Sequence, residues 1–173
     1  QLHTARKKDS TRLCFIGERP FRQFLARILP AQSGEIVDDK GQLIGQHQGV
    51  VYYTIGQRQG LGIGGSRSSS GEPWFVAEKD VVNNRLLAVQ GHDHPRLLAK
   101  TLSAGQLNWI SGQPPAQKFR ATAKSRYRQP AQPCEVTLSV DGETATVKFE
   151  SNQRALTPGQ SVVFYSDHCC VGG

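Results

Sequence analysis

Cys14 lies near the start of the chain in a segment that is rich in positive charge. Nearby cations favour the thiolate, which is the nucleophilic form of a cysteine, so this setting is typical of a reactive thiol. The alternative is a small side chain buried among apolar neighbours. A cysteine hydrolase would need a histidine brought to Cys14 by folding, because none stands beside it in sequence. The neighbouring cations are Lys7, Lys8, Arg12 and Arg19.

A second candidate for chemistry is the alternating segment over residues 118–128. In a strand, its period of two places the cations on one face and small or aromatic residues on the other. Like charges along one face repel one another, so the pattern favours a face that binds a phosphate backbone. The alternative is a solvated outer face. The cations of this parity are Lys118, Arg120, Lys124, Arg126 and Arg128.

Two further motifs are weaker. Gly60-x-Gly62-x-x-Gly65 matches a dinucleotide fingerprint as a string, but serines follow where that motif requires a helix. We interpret it as a loop, either structural or holding a ligand through Arg58 and Arg67. The sequence His92-Asp93-His94 precedes a proline and offers no third ligand, so we interpret it as a connector and predict no metal site.

Composition limits the kind of protein. The chain has 173 residues, of which 37% are hydrophobic, and its net charge is +7. This length suits one domain or two small ones, and the charge indicates an acidic partner, with nucleic acid ahead of a membrane surface. No apolar run is long enough to cross a bilayer. The four cysteines form no C-x-x-C pair and demand no disulfide, which indicates a cytoplasmic protein.

The first elements after Cys14 are a helix and then strands. Apolar residues at helical spacing after Pro20 predict a short helix that ends at Pro30. Residues 34–90 then alternate between β-branched stretches and turns, which predicts a small antiparallel barrel or roll. Its predicted strands cover residues 34–37, 42–44, 50–55, 74–77 and 85–89.

A second β module is predicted after the connector. Its strands cover residues 102–109, 118–127, 134–140, 144–149, 161–165 and 168–171, with a two-residue turn at Asp141-Gly142. We therefore predict a mainly β fold with a central β-roll or barrel and one short helix, followed by a C-terminal β-barrel. The predicted divisions are a cysteine segment over 1–19, a central domain over 20–95 and a C-terminal domain over 96–173.

Six motifs in register resemble the bacterial tRNA-specific 2-thiouridylase family. They are KDSTRLCFIGER at 8–19, GQRQGLGIGG at 56–65, GEPWFV at 71–76, QGHDHP at 90–95, KSRYRQ at 124–129 and TPGQ at 157–160. The resemblance extends over nearly the whole chain. One departure is Arg12-Leu13, where the family usually has Gly-Ile, which alters the backbone freedom of the cysteine loop.

The resemblance implies a tRNA-modifying sulfurtransferase that makes 2-thiouridine at the wobble position. It implies that Cys14 carries the persulfide and that Arg126, Tyr127 and Gln160 contact tRNA; the charge pattern adds Lys124 and Arg128. It also implies a translation-factor-like C-terminal barrel. ATP use and a second catalytic cysteine belong to an N-terminal PP-loop domain, which we expect to be missing here. We expect the fragment to be an inactive monomer by itself, served by a sulfur-relay donor protein. The residue-level alternative is a non-catalytic basic β-barrel that binds RNA.

Overall fold

The computed structural model describes residues 31–63, 71–126 and 129–173 of the chain. These ranges contain ten β-strands in two sheets, together with two short 3-10 helices. The predicted mainly β fold is therefore confirmed. The helix predicted between Pro20 and Pro30 lies outside the described residues.

The first sheet has four strands in the order β2-β1-β4-β3. Two antiparallel hairpins, β1 with β2 and β3 with β4, meet through a parallel pairing of β1 with β4. The prediction of an all-antiparallel module is wrong at this pairing. A long connection joins β2 to β3, which allows β4 of the second hairpin to pair in parallel with β1. The strands are β1 (Gly34–Val37), β2 (Leu43–His47), β3 (Trp74–Asp80) and β4 (Arg85–Gln90).

The predicted strand at 50–55 is also wrong. A 3-10 helix occupies Val50–Tyr52, and the backbone N–H of Tyr52 donates to the carbonyl of Gly49 at 3.1 Å. Val50 and Tyr53 are both buried in the core of the first sheet. Their spacing of three suits a 3-10 turn, whereas residues three apart in a strand face opposite sides.

His47 is a polar member of this region, with 1% of its surface exposed. The N–H of Gly49 donates to Nδ1 at 2.9 Å, so Nε2 carries the proton and donates to the carbonyl of Asn84 at 3.0 Å. Both ring nitrogens are hydrogen-bonded, as is usual for buried polar groups. The imidazole thereby links β2 to the turn before β4.

The second sheet has six strands in the order β10-β9-β6-β7-β8-β5, and every neighbouring pair is antiparallel. The segment after β5 pairs with β10 through a Trp109–Gly172 bridge, which joins the two ends of the sheet. The strands are β5 (Leu98–Gly105), β6 (Lys118–Lys124), β7 (Gln132–Leu138), β8 (Thr144–Arg154), β9 (Val163–Ser166) and β10 (Cys169–Gly172).

The core of this second module follows the alternation in its strands. Val136, Val147, Phe149 and Phe164 are almost completely buried, and the Trp109 ring stacks on Phe164 with 5.9 Å between ring centroids. The turn between β7 and β8 is longer than predicted. The N–H of Ser139 donates to the carbonyl of Thr144 at 2.9 Å, which leaves residues 140–143 in the loop.

Candidate nucleic-acid interface

Three of the predicted site residues lie outside the described ranges. They are Cys14, the predicted persulfide carrier, together with Tyr127 and Arg128. The structure describes the other three, and it brings them to one place. Lys124, Arg126 and Gln160 line a groove of about 430 Å³ beside the end of β6.

The predicted parity of β6 holds over Lys118–Lys124. Lys118 and Arg120 are exposed on the outer face, whereas Ala123 is buried in the core. The neighbouring strand alters the charge of that face. Glu135 of β7 lies opposite Arg120 in the register, and its carboxylate pairs with the Lys118 ammonium at 3.0 Å. The Glu135 carboxylate therefore neutralises the Lys118 end of the row of cations on β6 and leaves the Lys124 end positive.

Arg126 does not continue the row of cations on the outer face of β6, because β6 ends at Lys124. Its Nη2 donates to the carbonyl of Ala155 at 2.9 Å and to that of Ile55 at 3.3 Å. The prediction that Arg126 lies on the strand face is therefore wrong. The backbone turns after Lys124, and the guanidinium reaches across to the first module while the residue stays exposed.

The turn that carries Arg126 is held by a chain of side-chain hydrogen bonds. The N–H of Gln129 donates to the Arg126 carbonyl at 3.1 Å, and Ser125 Oγ donates to Gln129 Oε1 at 3.0 Å. Gln129 Nε2 in turn donates to Gln153 Oε1 at 2.8 Å. Gln153 has 3% of its surface exposed and also donates to the carbonyl of Ser151 at 3.0 Å. A buried amide of β8 thus anchors the loop.

Arg154 makes a second contact between the two modules. Its Nε donates to the carbonyl of His92 at 2.8 Å, and its guanidinium lies 4.6 Å from the centroid of the Phe75 ring. Burial, followed by the nearby positive charge of Arg126, lowers the pKa of Arg154, while Asp93 acts in the opposite direction. Arg154 Nη2 is buried without a hydrogen-bond partner among the described residues.

The two modules approach each other closely at Gly56. Its φ of 84° is in the left-handed region, and a Cβ built on it would lie 2.6 Å from the Cβ of Ala155. The N–H of Ala155 donates to the carbonyl of Leu97, which extends the same contact. A glycine is therefore required here by both backbone conformation and space. Gly56, Arg126 and Arg154 together form what we call the module joint.

Sequence reasoning missed Gln153, Arg154 and the joint. Alternation does not mark Gln153, because Ser151 shares its parity but is exposed, and the pairing of β5 with β8 shifts register between Ala99 and Thr101. Nothing local marks Arg154, because its partners lie in a different module.

The connector motif places its two histidines in separate contacts. His92 Nδ1 contacts the Asp93 carboxylate at 2.7 Å, whereas His94 Nδ1 accepts from the N–H of Arg96 and caps the 3-10 helix Pro95–Leu97. The two imidazoles therefore have different partners. Within the described ranges, no group of three or more potential metal ligands is present.

The glycine-rich motif is described only in part, up to Ile63. Arg58, Gly60 and Gly62 line a cavity of about 270 Å³ with Trp74. The described ranges contain no α-helix whose N-terminus could receive a phosphate chain. Arg67, the other candidate phosphate contact, is outside the described residues.

The three described cysteines differ in exposure and are all free of disulfides. Cys134 is 4% exposed, and burial, aided by the charge of Glu150, raises the pKa of its thiol to about 11. Cys169 and Cys170 are exposed on β10. In the part of the chain that the structure covers, no helix has the length and apolar character to cross a membrane.

Comparison with known proteins gives a consistent family. Residues 22–90 match the model described as a tRNA methyl transferase PRC-barrel domain, and residues 99–173 match an aminomethyltransferase beta-barrel domain. The chain is 59% identical over 172 residues to the tRNA-specific 2-thiouridylase MnmA of Francisella tularensis subsp. novicida (strain U112). The chain is also 59% identical to the proteins of the same name from Francisella tularensis subsp. tularensis (strain SCHU S4 / Schu 4) and subsp. holarctica (strain LVS).

These matches cover 99% of the chain but 48% of each relative. The chain thus spans about half the length of the curated relatives it matches. The strands of the first sheet lie within the first match, and those of the second sheet lie within the second match except for Leu98 at the start of β5. The groove at the end of β6 lies in the second match. By these similarities the chain belongs to the family of the tRNA-specific 2-thiouridylases.

Proposed function

We propose that this chain holds the anticodon arm of tRNA and carries sulfur as a persulfide on Cys14, as part of a sulfurtransferase that makes 2-thiouridine at the wobble position. The observation that carries the proposal is the groove at the end of β6. It combines Lys124 and Arg126 with the polar side chain of Gln160. Cations and an amide are the groups that contact phosphate and sugar in nucleic-acid complexes.

The charge balance of β6 supports this position for the RNA backbone. Lys118 already has an acidic partner in Glu135. Within the described ranges, neither Lys124 nor Arg126 forms an ion pair. A phosphate arriving at the groove therefore meets positive charge that no carboxylate has neutralised, and releases counterions from the RNA. Tyr127 and Arg128 follow directly in sequence and are proposed as further tRNA contacts.

The proposed role of Cys14 rests on its sequence setting. A persulfide forms when a thiolate attacks the outer sulfur of an incoming persulfide, whose S–S bond breaks so that the donor cysteine leaves as a thiolate. The acceptor therefore needs positive charge around it to be ionised. Lys8, Arg12 and Arg19 can supply that field. The donor is a sulfur-relay protein that brings the sulfur as its own persulfide. We place this exchange in the cytoplasm, where tRNA is available.

We assign the ATP-dependent step to the portion of the relatives that this chain does not match. We assign the second cysteine to the same portion. On this proposal the chain alone is inactive in thiolation but still binds tRNA as a monomer. The rival function is a non-catalytic basic β-barrel that binds RNA and has an inert Cys14.

Replacement of Lys124 with alanine tests the proposed RNA face. We expect tRNA to bind several-fold more weakly and the slope of log affinity against log salt to fall by roughly one, because one phosphate contact is lost. Filter binding of tRNA to the chain over a range of salt concentrations measures both quantities.

Lys118→Ala is the matched control, since it removes the same charge from the same face of β6. Its ammonium already has a carboxylate partner, so we expect a smaller loss of affinity and little change in slope. Equal effects of the two substitutions, or a wild-type affinity that salt does not change, would contradict the proposed RNA face.

A further inference from the structure

Tyr165 is an aromatic residue in the proposed RNA groove that has no role in the core. It lies on β9, opposite Thr122 of β6, and so shares the outer face of the sheet with the β6 cations. Phe164, its neighbour in sequence, is fully buried on the other face. The Tyr165 side chain is half-buried and lines the groove together with Lys124, Arg126, Gln160 and Ser161.

The Lys124 ammonium lies 5.6 Å from the centroid of the Tyr165 ring. A ring and a cation in this arrangement match the two parts of a nucleotide, a flat base and a charged phosphate. Proteins that bind single-stranded nucleic acid combine these elements, with bases stacked on aromatic rings along a positive groove.

We propose that Tyr165 is the stacking platform for one unpaired nucleobase of the bound RNA, and that Lys124 holds the adjoining phosphate. This proposal rests on the proposed function, since it requires RNA in the groove. It adds a base-binding site to a surface of cations and polar side chains. The occupant is a nucleotide outside a duplex, because a paired base cannot present its face to a side chain.

The contact between Lys124 and Tyr165 does not prevent stacking. A cation–π contact at an exposed site is worth only about a few-fold in equilibrium constant, whereas base–aromatic stacking is worth roughly tenfold or more. A base that displaces the ammonium from the ring therefore gains more than is lost. The long lysine side chain can then follow the phosphate.

The rest of the groove offers polar groups to the edge of a base. Gln160 and Ser161 offer donors and acceptors to the edge of a base, and the volume of about 430 Å³ is in the range of small-ligand sites. Arg126 has one nitrogen engaged with the Ala155 and Ile55 carbonyls, and its exposed remainder faces the same space. In this arrangement Lys124 faces the phosphate of the nucleotide and Tyr165 the face of its base. Gln160 and Ser161 face the edge of the base.

Substitution of Tyr165 tests the platform directly. The probe is an RNA hairpin with an unpaired loop in which 2-aminopurine replaces one loop base at a time, and a fully paired duplex serves for comparison. We expect Tyr165→Ala to weaken hairpin binding roughly tenfold and to abolish the fluorescence quenching of one loop position. Tyr165→Phe keeps the ring and should behave as the wild type. Duplex affinity should change little in either variant.

Cys170 provides a second readout within the unmodified chain. It is exposed and lies opposite Tyr165 in the register, whereas Cys169 lies opposite Ser166. Residues opposite one another share a face of the sheet. Bound hairpin RNA should therefore slow thiol labelling of Cys170 more than that of Cys169.

The outcomes separate this proposal from the proposed function. If the hairpin binds with a normal salt dependence but Tyr165→Ala binds as tightly as the wild type, the platform is wrong and the RNA face stands. If the wild type binds neither RNA, both are wrong. Equal protection of the two cysteines, or equal losses for the hairpin and the duplex in Tyr165→Ala, would also overturn the platform.

Discussion

At the scale of single residues, the four cysteines illustrate how surroundings decide chemistry. Cys134 has core parity in β7, and its burial raises the pKa of the thiol to about 11. Its thiolate is therefore scarce and inaccessible at neutral pH. Cys14 has the opposite sequence setting, among cations, and its proposed role requires the opposite reactivity.

Thiol labelling at neutral pH distinguishes these residues. We expect Cys14 to react faster than Cys169 and Cys170, and Cys134 to react only after unfolding. Mass spectrometry of the alkylated chain over time measures each rate, and Cys14→Ser identifies the fast site. A Cys14 that labels no faster than Cys134 would favour the rival function, an inert RNA-binding module.

The raised pKa of Cys134 also predicts how its contribution to stability depends on pH. The folded state keeps the thiol proton up to about 11, whereas the unfolded state releases it above the ordinary value of 9.0. The contribution is therefore complete below 9.0 and is lost as the pH rises toward 11. Cys134→Ala should flatten the alkaline decline in unfolding free energy.

At the scale of elements, the end of β6 shows how a loop is positioned by a residue distant in sequence. Ser125, Gln129 and Gln153 form a chain of hydrogen bonds that fixes the turn carrying Arg126. Such a network is stable only when every buried member is satisfied. The loop geometry therefore depends on β8 as much as on its own sequence.

Gln153→Leu tests this anchor. It keeps much of the side-chain volume but leaves the Gln129 amide without its partner, so we expect a loss of about 1–3 kcal/mol in unfolding free energy. Chemical denaturation measures this value. The double variant with Gln129→Leu should cost less than the sum of the two single changes, since both partners are then apolar. Strictly additive costs would show that the amides do not act as a pair.

At the scale of the whole molecule, the module joint sets how the two sheets meet. Arg126 and Arg154 donate to carbonyls of Ile55 and His92, and Gly56 permits the close approach of Ala155. Arg154 reaches this joint at a cost, because one buried nitrogen has no partner among the described residues. Because Arg126 also lines the proposed RNA groove, the joint lies next to that groove.

Gly56→Ala should weaken the joint, and Gly142→Ala is its matched control. Both glycines have positive φ, 84° and 76°, but only at Gly56 would the new methyl group meet another atom. In each variant, holding alanine in the left-handed conformation lowers the unfolding free energy by about 1–2 kcal/mol. Gly56→Ala should lose more and be cleaved faster by proteases in the connector over 91–97. Equal losses of stability and equal cleavage would argue against a tight joint.

Several features were predictable from the sequence because they depend on neighbours along one strand. Alternation predicted the mainly β fold, the core parity of Cys134 and the outward cations of β6 from Lys118 to Lys124. The spacing of Val50 and Tyr53 suits a 3-10 turn, but their β-branched and aromatic types favoured a strand. Local patterns thus predict which face a side chain takes and leave its partners open.

Only the tertiary structure decided what those side chains meet. Pairing of β6 with β7 places Glu135 beside Lys118, and the close approach of the two modules turns Arg126 to the carbonyls of Ile55 and Ala155. The tertiary structure also places Lys124, Gln160 and Tyr165 around one groove. Lys124 is far along the chain from Gln160 and Tyr165, as Arg126 is from Ile55, and strand order and module packing bring these residues together. Parity within one strand carries no information about either.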